Sequence, residues 1–523
     1  MLIYLLSMVT SDGTFRYSSD FGYNDPTAPG YFEARIRDVA QFTVTLSADP
    51  NRAAPQVAAG KVTLKDEDGA LRAQFLALGI AGFTATLQVI DAAQGGGGDY
   101  ATASTIGVFK MAEPAYDATT VTITFQDQTQ DLGVPVGRTT FAGNNSLPAG
   151  TEGTAGDVGG QYKPVAYGRV RMIAPPQVNS SRAVDQLHDA QANQILAVRA
   201  GGVAWTVGAA RTFANIDNAT DPAAGVVDYF MGDATHGAYG RRRAAATANQ
   251  QGPFTYDIEG DARGGTWRST VADIAAELVT QRLAAALATT AGDITALNSA
   301  AAGVVGVWNR DNMTVAQALG YLCPSANAKY WVDTTGFRIA QLAAPSGSPV
   351  ANFRRFALNV TRSTADVDIG RGWRVLPPDV PVVWKVNVKY QRFWTTQTQG
   401  LDANIDQALR GQLQNEWRTA TASDSAVLTT YPAAVELTVT TALDSKSDAD
   451  ALAASLLTLL KVRRDTLQIP AQLATDVSAL IGLTSVVKVY DILDYGSTGR
   501  LMRVLGRSVY DQRSGAATFK LWG

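Results

Sequence analysis

Residues 461–523 read KVRRDTLQIPAQLATDVSALIGLTSVVKVYDILDYGSTGRLMRVLGRSVYDQRSGAATFKLWG, and they give the clearest indication of fold class in the chain. It contains four runs in which apolar and polar residues loosely alternate, separated by turns that contain Gly or Asp. The apolar positions are Val462, Leu467 and Ile469 in the first run, Val486, Val487 and Val489 in the second, Leu501, Val504 and Leu505 in the third, and Phe519 and Leu521 in the fourth. The pattern predicts a small antiparallel β-barrel or sandwich that is entered from a helix. The stretch has no histidine and no carboxylate pair, so we expect packing surfaces here and no chemistry.

Composition narrows the class of protein. The chain has 523 residues, which predicts three or four domains, and its 46% hydrophobic and 17% charged residues are typical of globular proteins. The formal net charge of −3 argues against broad binding of nucleic acid, which needs a basic face. The basic triplet Arg241-Arg242-Arg243 is interpreted as a solvated loop or a subunit contact.

Cysteine and histidine are too scarce for most catalytic or metal sites. Cys323 is the single cysteine, so no disulfide can form within the chain, and we expect a buried structural thiol. His188 and His236 lie in no metal-binding spacing. We therefore predict no catalytic residue, no metal site and no cofactor.

The apolar start of the chain, MLIYLLSMV, lacks the basic region and cleavage site of a signal peptide. The following SDG and TFRYSS predict a strand, a turn and a second strand, which together form a β-hairpin. No run approaches the ~18 apolar residues of a membrane span. We expect a soluble protein that is made in a reducing compartment and does not insert stably into a membrane.

The chain divides into segments of different character, and the predicted fold class is β-rich α+β with several domains. The predicted segments are an N-terminal β domain at 1–135, a Gly- and Pro-rich connector with a β-rich middle domain at 136–260, a helix-plus-hairpin α+β module at 261–345, and a C-terminal β-barrel-like domain with helices at 346–523. Within the second segment, residues 136–180 are expected to run extended over a surface.

Helical patterns are fewer than strand patterns. TVADIAAELVTQRLAAAL has an apolar stripe and a capping residue at Ser269 or Thr270. Further helices are predicted at 311–322, 401–422 and 449–460. VPVVWKVNVKYQRFW is the strongest strand pattern, and AKYWVDTTGFRIAQL predicts a hairpin that turns at 334–336.

Three patterns could carry chemistry or binding. Asp257, Glu259 and Asp261 alternate in YDIEGDA and would share one face of a strand as an acid/base pair, although such alternation is more often a solvated edge. The turn at 66–69, DEDG, holds half of a calcium loop, and the glycines at 95–98 lack the Lys-Ser/Thr of a phosphate loop. Aromatic side chains that could bind a receptor are Tyr100, Tyr229, Phe230, Phe393 and Trp394.

Several blocks, spread in order along the chain, resemble one protein family. They are FRYSSDFGYN with YFEARIRD, then TFAGNNSLPAGTEGTAGDVGGQYKPVAYGRV, then VVGVWNRDNMTVAQALGYLCPSANAKYWVDTTGFRIAQLAAP, then KVRRD with GRLMRVLGRSVYDQRSGAATFKLWG. In these blocks the chain resembles the tail-tip, or baseplate hub, proteins of long-tailed, siphovirus-like bacteriophages, which are similar in plan to the baseplate hubs of contractile tails.

The resemblance implies a structural virion protein with no catalytic set. Two small β-barrels per chain would alternate around a homotrimer and present a pseudo-sixfold ring, which adapts the sixfold tail tube to a threefold tip. The implied partners are a distal tail or tail-tube ring protein, a central fibre or tip protein and a tape-measure protein, with DNA only in transit during ejection. The implied location is the virion tail tip, after synthesis in the bacterial cytoplasm.

Two other functions stay open at this point. One is a receptor-binding tail adhesin that uses the aromatic side chains named above. The other is a tail-associated cell-wall hydrolase that uses the carboxylates at 257–261.

Overall fold

The computed structural model describes residues 2–39, 42–58, 60–91, 99–243, 254–355, 366–403, 405–472, 481–508 and 516–523. Two features predicted from the sequence, the glycine run at 95–98 and the turn at 511–515, lie outside the described residues.

Strands outnumber helices in the described part of the chain. The strands before residue 132 are β1 (Leu2–Thr10), β2 (Gly13–Ser19), β3 (Glu33–Val39), β4 (Thr43–Thr45), β5 (Gln56–Ala58), β6 (Lys61–Lys65), β7 (Thr84–Asp91), β8 (Ser104–Met111), β9 (Ala115–Tyr116) and β10 (Thr120–Gln126). The next are β11 (Val165–Ile173), β12 (Gln177–Asn179), β13 (Val184–His188), β14 (Ala192–Ala200), β15 (Val203–Ala210), β16 (Val226–Phe230), β17 (Ala238–Arg241), β18 (Phe254–Asp261) and β19 (Gly306–Asn309). The last are β20 (Ala328–Asp333), β21 (Gly336–Gln341), β22 (Asn352–Arg354), β23 (Asp366–Ile369), β24 (Arg374–Leu376), β25 (Val383–Tyr390), β26 (Arg418–Ser423), β27 (Val435–Thr440), β28 (Thr466–Gln472), β29 (Val486–Val489), β30 (Arg500–Ser508) and β31 (Ala516–Trp522).

Helices are short and few by comparison. They are α1 (Ala70–Leu78), α2 (Val271–Gln281), α3 (Ala291–Ala300), α4 (Val315–Leu322), α5 (Gln407–Gln414), α6 (Val427–Thr430) and α7 (Lys446–Leu460). The described chain forms two compact units, each assembled from separated segments. Unit 1 comprises Met1–Asp131, Lys329–Pro381 and Val462–Gly523, and unit 2 comprises Leu132–Ala328 and Val382–Lys461.

The N-terminal segment of unit 1 closes into a β-barrel. The predicted hairpin is confirmed, because β1 and β2 pair antiparallel from Leu5↔Ser18 to Thr10↔Gly13. Around the ring, each strand pairs with the next in the order β1, β7, β8, β10, β6, β3 and β2, which returns to β1. Apolar side chains that include Leu6, Leu87 and Phe125 fill the interior. Burial of these side chains is the main stabilising term of such a small ring.

The C-terminal segment of unit 1 closes a second β-barrel and confirms the four strands predicted at 461–523. Here the order around the ring is β22, β23, β28, β31, β30 and β29, and β29 pairs again with β22. Phe353 and Phe519 meet edge-on inside, with their ring centroids 5.4 Å apart. Neither side chain is exposed to solvent.

A hairpin from the N-terminal segment extends the second barrel. β4 and β5 pair with each other, and β4 also pairs with β30 from Gly506↔Thr45 to Ser508↔Thr43. Gly506 suits this close approach, since a Cβ at that position would lie only 3.0 Å from the side chains of Thr45 and Lys520. The hairpin of β20 and β21 also belongs to unit 1.

Unit 2 contains a large open sheet and a small one. The large sheet has the strand order β12, β13, β17, β16, β15, β14, β18, β11 and β19. The small sheet has the order β26, β25 and β27, and α7 packs against β25 and β26. α2 begins after Thr270, whose side chain accepts the Asp273 N–H as predicted, and α4 begins with a capping box at Thr314.

Two local predictions were wrong. Residues 136–180 are not simply an extended surface connector, because β11 lies between β18 and β19 and is largely buried. The run at 401–422 is not one helix: α5 ends at Gln414, and β26 pairs with β25 along its whole length. Pairing with the strong strand β25 overrides the helical tendency of the segment's second half. The helix α3 was not predicted.

The search for membrane-spanning helices among the described residues found none with the length and apolar character that crossing a bilayer requires.

Candidate functional site

The carboxylates considered for acid/base chemistry lie together on β18 in the middle of the large sheet of unit 2. Asp257, Glu259 and Asp261 are each no more than 2% exposed. The neighbouring strands β11 and β14 pair with β18 on its two sides. The three side chains are therefore interior groups, and the alternative of a solvated strand edge is wrong.

Glu259 is held as an anion by donors on both sides. Arg169 donates from Nη2 to Oε1 at 2.5 Å, and Asn193 and Gln194 donate to Oε2 at 2.6 and 2.7 Å. Burial acts to raise the pKa of Glu259, but the hydrogen bonds from Arg169, Gln194 and Asn193 act more strongly and lower it. A general acid at neutral pH needs a raised pKa, so Glu259 is poorly suited to donate a proton.

Asp257 and Asp261 also face cationic groups. Asp257 lies 3.0 Å from Nη1 of Arg199 and accepts a hydrogen bond from the Met172 backbone N–H. Asp261 lies 3.2 Å from Nη1 of Arg268. Burial acts to raise the pKa of Asp261, whereas its hydrogen bond with His188 and nearby arginines lower it overall.

Asp444, from the segment that follows the small sheet, completes this cluster. Arg171 donates to it from Nε at 2.6 Å and from Nη2 at 2.8 Å, and Arg169 lies 3.3 Å away. The side chain of Asp444 is 6% exposed. We call Arg169, Arg171, Asp257, Glu259 and Asp444 the β18 ion cluster. Its contacts join residues as far as 275 positions apart in sequence, which is typical of a structural cluster.

A second buried group was missed in the sequence. Asp185 on β13 accepts from Tyr256 Oη at 2.7 Å and from Arg242 Nε at 3.0 Å. Burial raises the pKa of Asp185. The only sequence signal for this group is the single Asp within VDQLH, which forms the buried strand β13. Tyr256 and Arg242 are themselves buried, so Asp185 belongs to the interior of unit 2.

The arginine triplet is not a solvated loop. Arg241 is fully buried and donates to the Ile216 carbonyl oxygen at 2.9 Å, with Asp221 at 3.0 Å. Arg242 pairs with Asp185, and Arg243 alone is exposed. The first two arginines therefore anchor β17 inside unit 2.

The two histidines are placed in different environments. His188 is fully buried, and its Nδ1 accepts the Ala166 N–H at 3.1 Å, so Nε2 carries the proton and faces Asp261 at 3.3 Å. His236 stacks on Phe213 with ring centroids 3.7 Å apart. Cys323 is buried, as expected. Across the described ranges, no group of three or more His, Cys, Asp or Glu side chains is placed to hold a metal ion.

The acidic turn at 66–69 serves α1. Asp66 accepts the backbone N–H groups of Leu71 and Arg72 at 2.8 and 3.1 Å. Asp68 forms a bidentate pair with Arg35 at 2.7 and 2.8 Å. Both carboxylates thus have protein partners, and the turn has the role of a helix start.

The aromatic side chains considered for receptor binding are packed and not freely exposed. Tyr229 and Trp394 contact the core of the large sheet, and Phe230 lies beside Phe213. Phe393 is covered by the Arg418 guanidinium, 3.7 Å from the ring centroid.

The last of these aromatics, Tyr100, belongs to unit 1. It packs on Phe32 and donates to Gln88 Oε1 at 2.9 Å. The set of five therefore forms no common binding surface: its members serve separate packing contacts in the two units.

Unit 1 contains a cavity of about 570 Å³. Its wall includes Phe42 stacked on Phe109 at 4.2 Å, together with Trp331 from β20. The polar groups in the wall include Arg338, which pairs with Asp333 at 3.1 Å. The volume falls in the range of small-molecule sites, about 300–1,000 Å³. The wall presents no nucleophile–base pair.

Comparisons with known proteins place these features in context. No protein-family model and no curated protein matches the chain. Among solved structures, it is similar to a tail protein from Neisseria meningitidis MC58, with a TM-score of 0.40, 10% identity and coverage of 99% of this chain and 96% of that one.

Two further solved structures are similar. The 43 kDa tail protein of prophage MuSo2 from Shewanella oneidensis has a TM-score of 0.39, 10% identity and coverage of 99% and 98%. A chain of the virion of a native gene transfer agent particle has a TM-score of 0.39, 14% identity and coverage of 73% and 88%. The structural neighbours of this chain are thus phage tail and virion proteins, although TM-scores below 0.5 do not establish a shared fold.

Proposed function

We propose that this chain is a structural protein of a bacteriophage tail, a hub at the tail tip that caps the end of the tail tube. The observation that carries the proposal is the pair of small closed β-barrels in one chain, one built around β1 and the other around β28. Three copies of such a chain supply six barrels, the number needed for a ring that faces a sixfold tube while the rest of the assembly keeps threefold symmetry.

The sequence blocks described above support the same role, because they span both barrels and the intervening module. In this role the chain forms a homotrimer that contacts a distal tail or tail-tube ring protein on one side and a central fibre or tip protein on the other. A tape-measure protein is a further partner in the lumen, and DNA passes through during ejection.

Closure of both barrels suits a part that must transmit force without unfolding. Each ring pairs its strands edge to edge, which leaves few open edges for unwanted pairing. The movement that opens the tube then takes place at contacts between copies, while each barrel moves as a rigid body.

The role needs no bond chemistry. The strongest carboxylate candidates, Glu259 and Asp261, have lowered pKa values and cationic or amide partners. We therefore propose that the protein acts as a structural component and not as a cell-wall hydrolase.

Cryo-electron microscopy of the phage particle that contains this chain tests the proposal. We expect three copies at the tail tip, with the two barrels of each copy alternating around a ring below the tube. Absence of the chain from purified particles would overturn the role, as would a single subunit that cleaves peptidoglycan in solution and loses that activity in Glu259→Gln.

A further inference from the structure

The two barrels of unit 1 carry opposite net charge. Residues 1–131 contain 15 Asp and Glu against 8 Lys and Arg, a formal net charge of −7. Residues 346–381 and 462–523 contain 8 Asp, no Glu and 13 Lys and Arg, a formal net charge of +5. The net charge of −3 for the whole chain conceals this asymmetry.

On the N-terminal barrel, unpaired acidic groups gather beside α1. The turn at 66–69 meets the loop that follows β9, because the Asp66 N–H donates to the Thr119 carbonyl oxygen at 2.7 Å. Glu67, Glu113 and Asp117 are exposed there, and in the described ranges none of the three side chains forms an ion pair. We call Glu67, Glu113 and Asp117 the acidic face.

On the C-terminal barrel, basic groups follow an open strand edge. β24 pairs with β28, and no second strand covers its other edge within the part of the chain that is described. Arg371 and Arg374 are exposed at this edge, and neither forms an ion pair with a described carboxylate. Arg463, just before β28, has a 72% exposed side chain whose Nε lies 3.6 Å from the Asp465 carboxylate. We call Arg371, Arg374 and Arg463 the basic face.

Apolar side chains accompany both faces, which distinguishes them from ordinary solvated charge. Leu76 on α1 is 65% exposed next to the acidic face. Val375 and Val462, at the basic face, are 44% and 46% exposed. Charged groups around exposed apolar side chains are the composition of a protein–protein contact with a polar rim.

We infer that the occupant of each face is a second copy of this chain, with the acidic face of one copy against the basic face of the next. The inference rests on the proposed function and adds to it the surfaces that meet. Contact between unlike faces is heterologous, so repeated use of it generates a ring or a filament. Contact between like faces is disfavoured by repulsion, which gives the assembly a single order of barrels.

The physical effect is mainly on orientation and rate. A solvent-exposed ion pair adds little to affinity, whereas complementary charge speeds encounter and rejects wrong orientations. Salt screens charges over about 8 Å at physiological ionic strength. Association of the copies should therefore weaken as salt rises.

Charge reversal on the full chain tests the inference. One double variant combines Arg371→Glu and Arg374→Glu, and the other combines Glu67→Arg and Glu113→Arg. A fourfold variant carries all four changes. Lys446→Glu on α7 is the control for a charge reversal elsewhere. Sedimentation velocity at low and at physiological salt measures self-association, and circular dichroism checks that each variant is folded.

We expect each double reversal to weaken self-association about tenfold or more, and the fourfold variant to regain it, because opposite charges face each other again. The control should associate as the unchanged chain does. A chain that stays monomeric at both salt concentrations, or association that ignores the reversals, would overturn the inference.

The same variants separate this inference from the proposed function. If electron microscopy places the chain at the tail tip but charge reversal does not change its association, the charged contact is contradicted and the hub role still stands. Rescue by the fourfold variant in a chain absent from particles supports the contact and contradicts the role.

Discussion

The interiors of the two units are stabilised by different means. In unit 1, each barrel interior is filled by aliphatic and aromatic side chains such as Leu87 in the first barrel and Phe519 in the second. In unit 2, the large sheet also buries the β18 ion cluster. An apolar interior tolerates changes of pH and salt, whereas a buried ion cluster depends on every one of its partners. The comparison therefore predicts different weaknesses for the two units.

The largest expected effect is loss of an arginine from the cluster. Arg171→Ala removes the bidentate partner of Asp444, which keeps only Arg169 at 3.3 Å, and one partner of Asp257, and leaves both carboxylates buried. Breaking a buried pair in this way costs about 3–5 kcal/mol. Hydrogen-exchange mass spectrometry should show faster exchange in β11 and β18, while β28 and β31 stay protected. Equal loss of protection in both units would show that they do not differ as described.

In the second barrel, a loss of unfolding free energy of similar size is expected from apolar packing alone. Phe519→Ala leaves a cavity beside Phe353 and should cost about 3–5 kcal/mol of unfolding free energy. Denaturant unfolding should give the same loss at low and at high salt, because no charge is involved. Leu493→Ala, at a side chain that is 49% exposed, is the control and should cost far less. A strongly salt-dependent loss in Phe519→Ala would contradict an apolar origin.

The two units should also differ in how their stability depends on pH. Glu259 and Asp261 have lowered pKa values in the folded state, so their contribution is present above the unfolded pKa and is lost as pH falls through the folded value. Asp185, whose pKa is raised, acts in the opposite direction. We expect unit 2 to lose protection below about pH 4, near the reference pKa of a carboxyl group, while the barrels of unit 1 change less.

Hydrogen exchange at several pH values checks this prediction, with Glu259→Gln as the informative variant. Its loss of stability should be large at neutral pH and small in acid, since the native carboxylate is then protonated as well. A loss of equal size at both pH values would contradict the role given to the charge of Glu259.

The smallest effect is expected at the surface of α7. Lys446 and Asp450 form an exposed pair four residues apart, with 2.6 Å between Nζ and Oδ2. Lys446→Ala should leave the unfolding free energy almost unchanged, because solvent screens an exposed pair. Denaturant unfolding that shows a loss of several kcal/mol would mean that this pair has a structural role that its exposure does not indicate.

The sequence predicted local structure better than long-range pairing. Alternation around Val487 and Leu521 indicated the strands β29 and β31, and the capping residue Thr270 indicated the start of α2. The hairpin that extends the second barrel pairs Thr45 with Gly506, residues so distant in sequence that no local pattern connects them. The helical tendency of residues 401–422 also gave a wrong prediction at β26, where pairing with β25 determines the structure.

The candidate site shows the same limit. The alternation of Asp257, Glu259 and Asp261 was visible in the sequence, but the same alternation fits a solvated edge, an acid/base pair or a buried cluster. The residue that decides among these, Arg169, lies 90 residues from Glu259 along the chain, and Asp444, which also accepts from Arg169, lies 185 residues away. Only the folded arrangement brings them within hydrogen-bond distance.

The order of segments in the second barrel has a consequence for biosynthesis. β22, β23 and β24 leave the ribosome before the strands of the small sheet of unit 2, and their ring partners β28 to β31 come only afterwards. The early strands therefore lack their ring partners, and their apolar side chains stay uncovered, while some 80 residues are translated. A chaperone that shields nascent chains would have its greatest effect on yield in this interval, and synonymous codons that slow translation at 382–461 would lengthen the exposure.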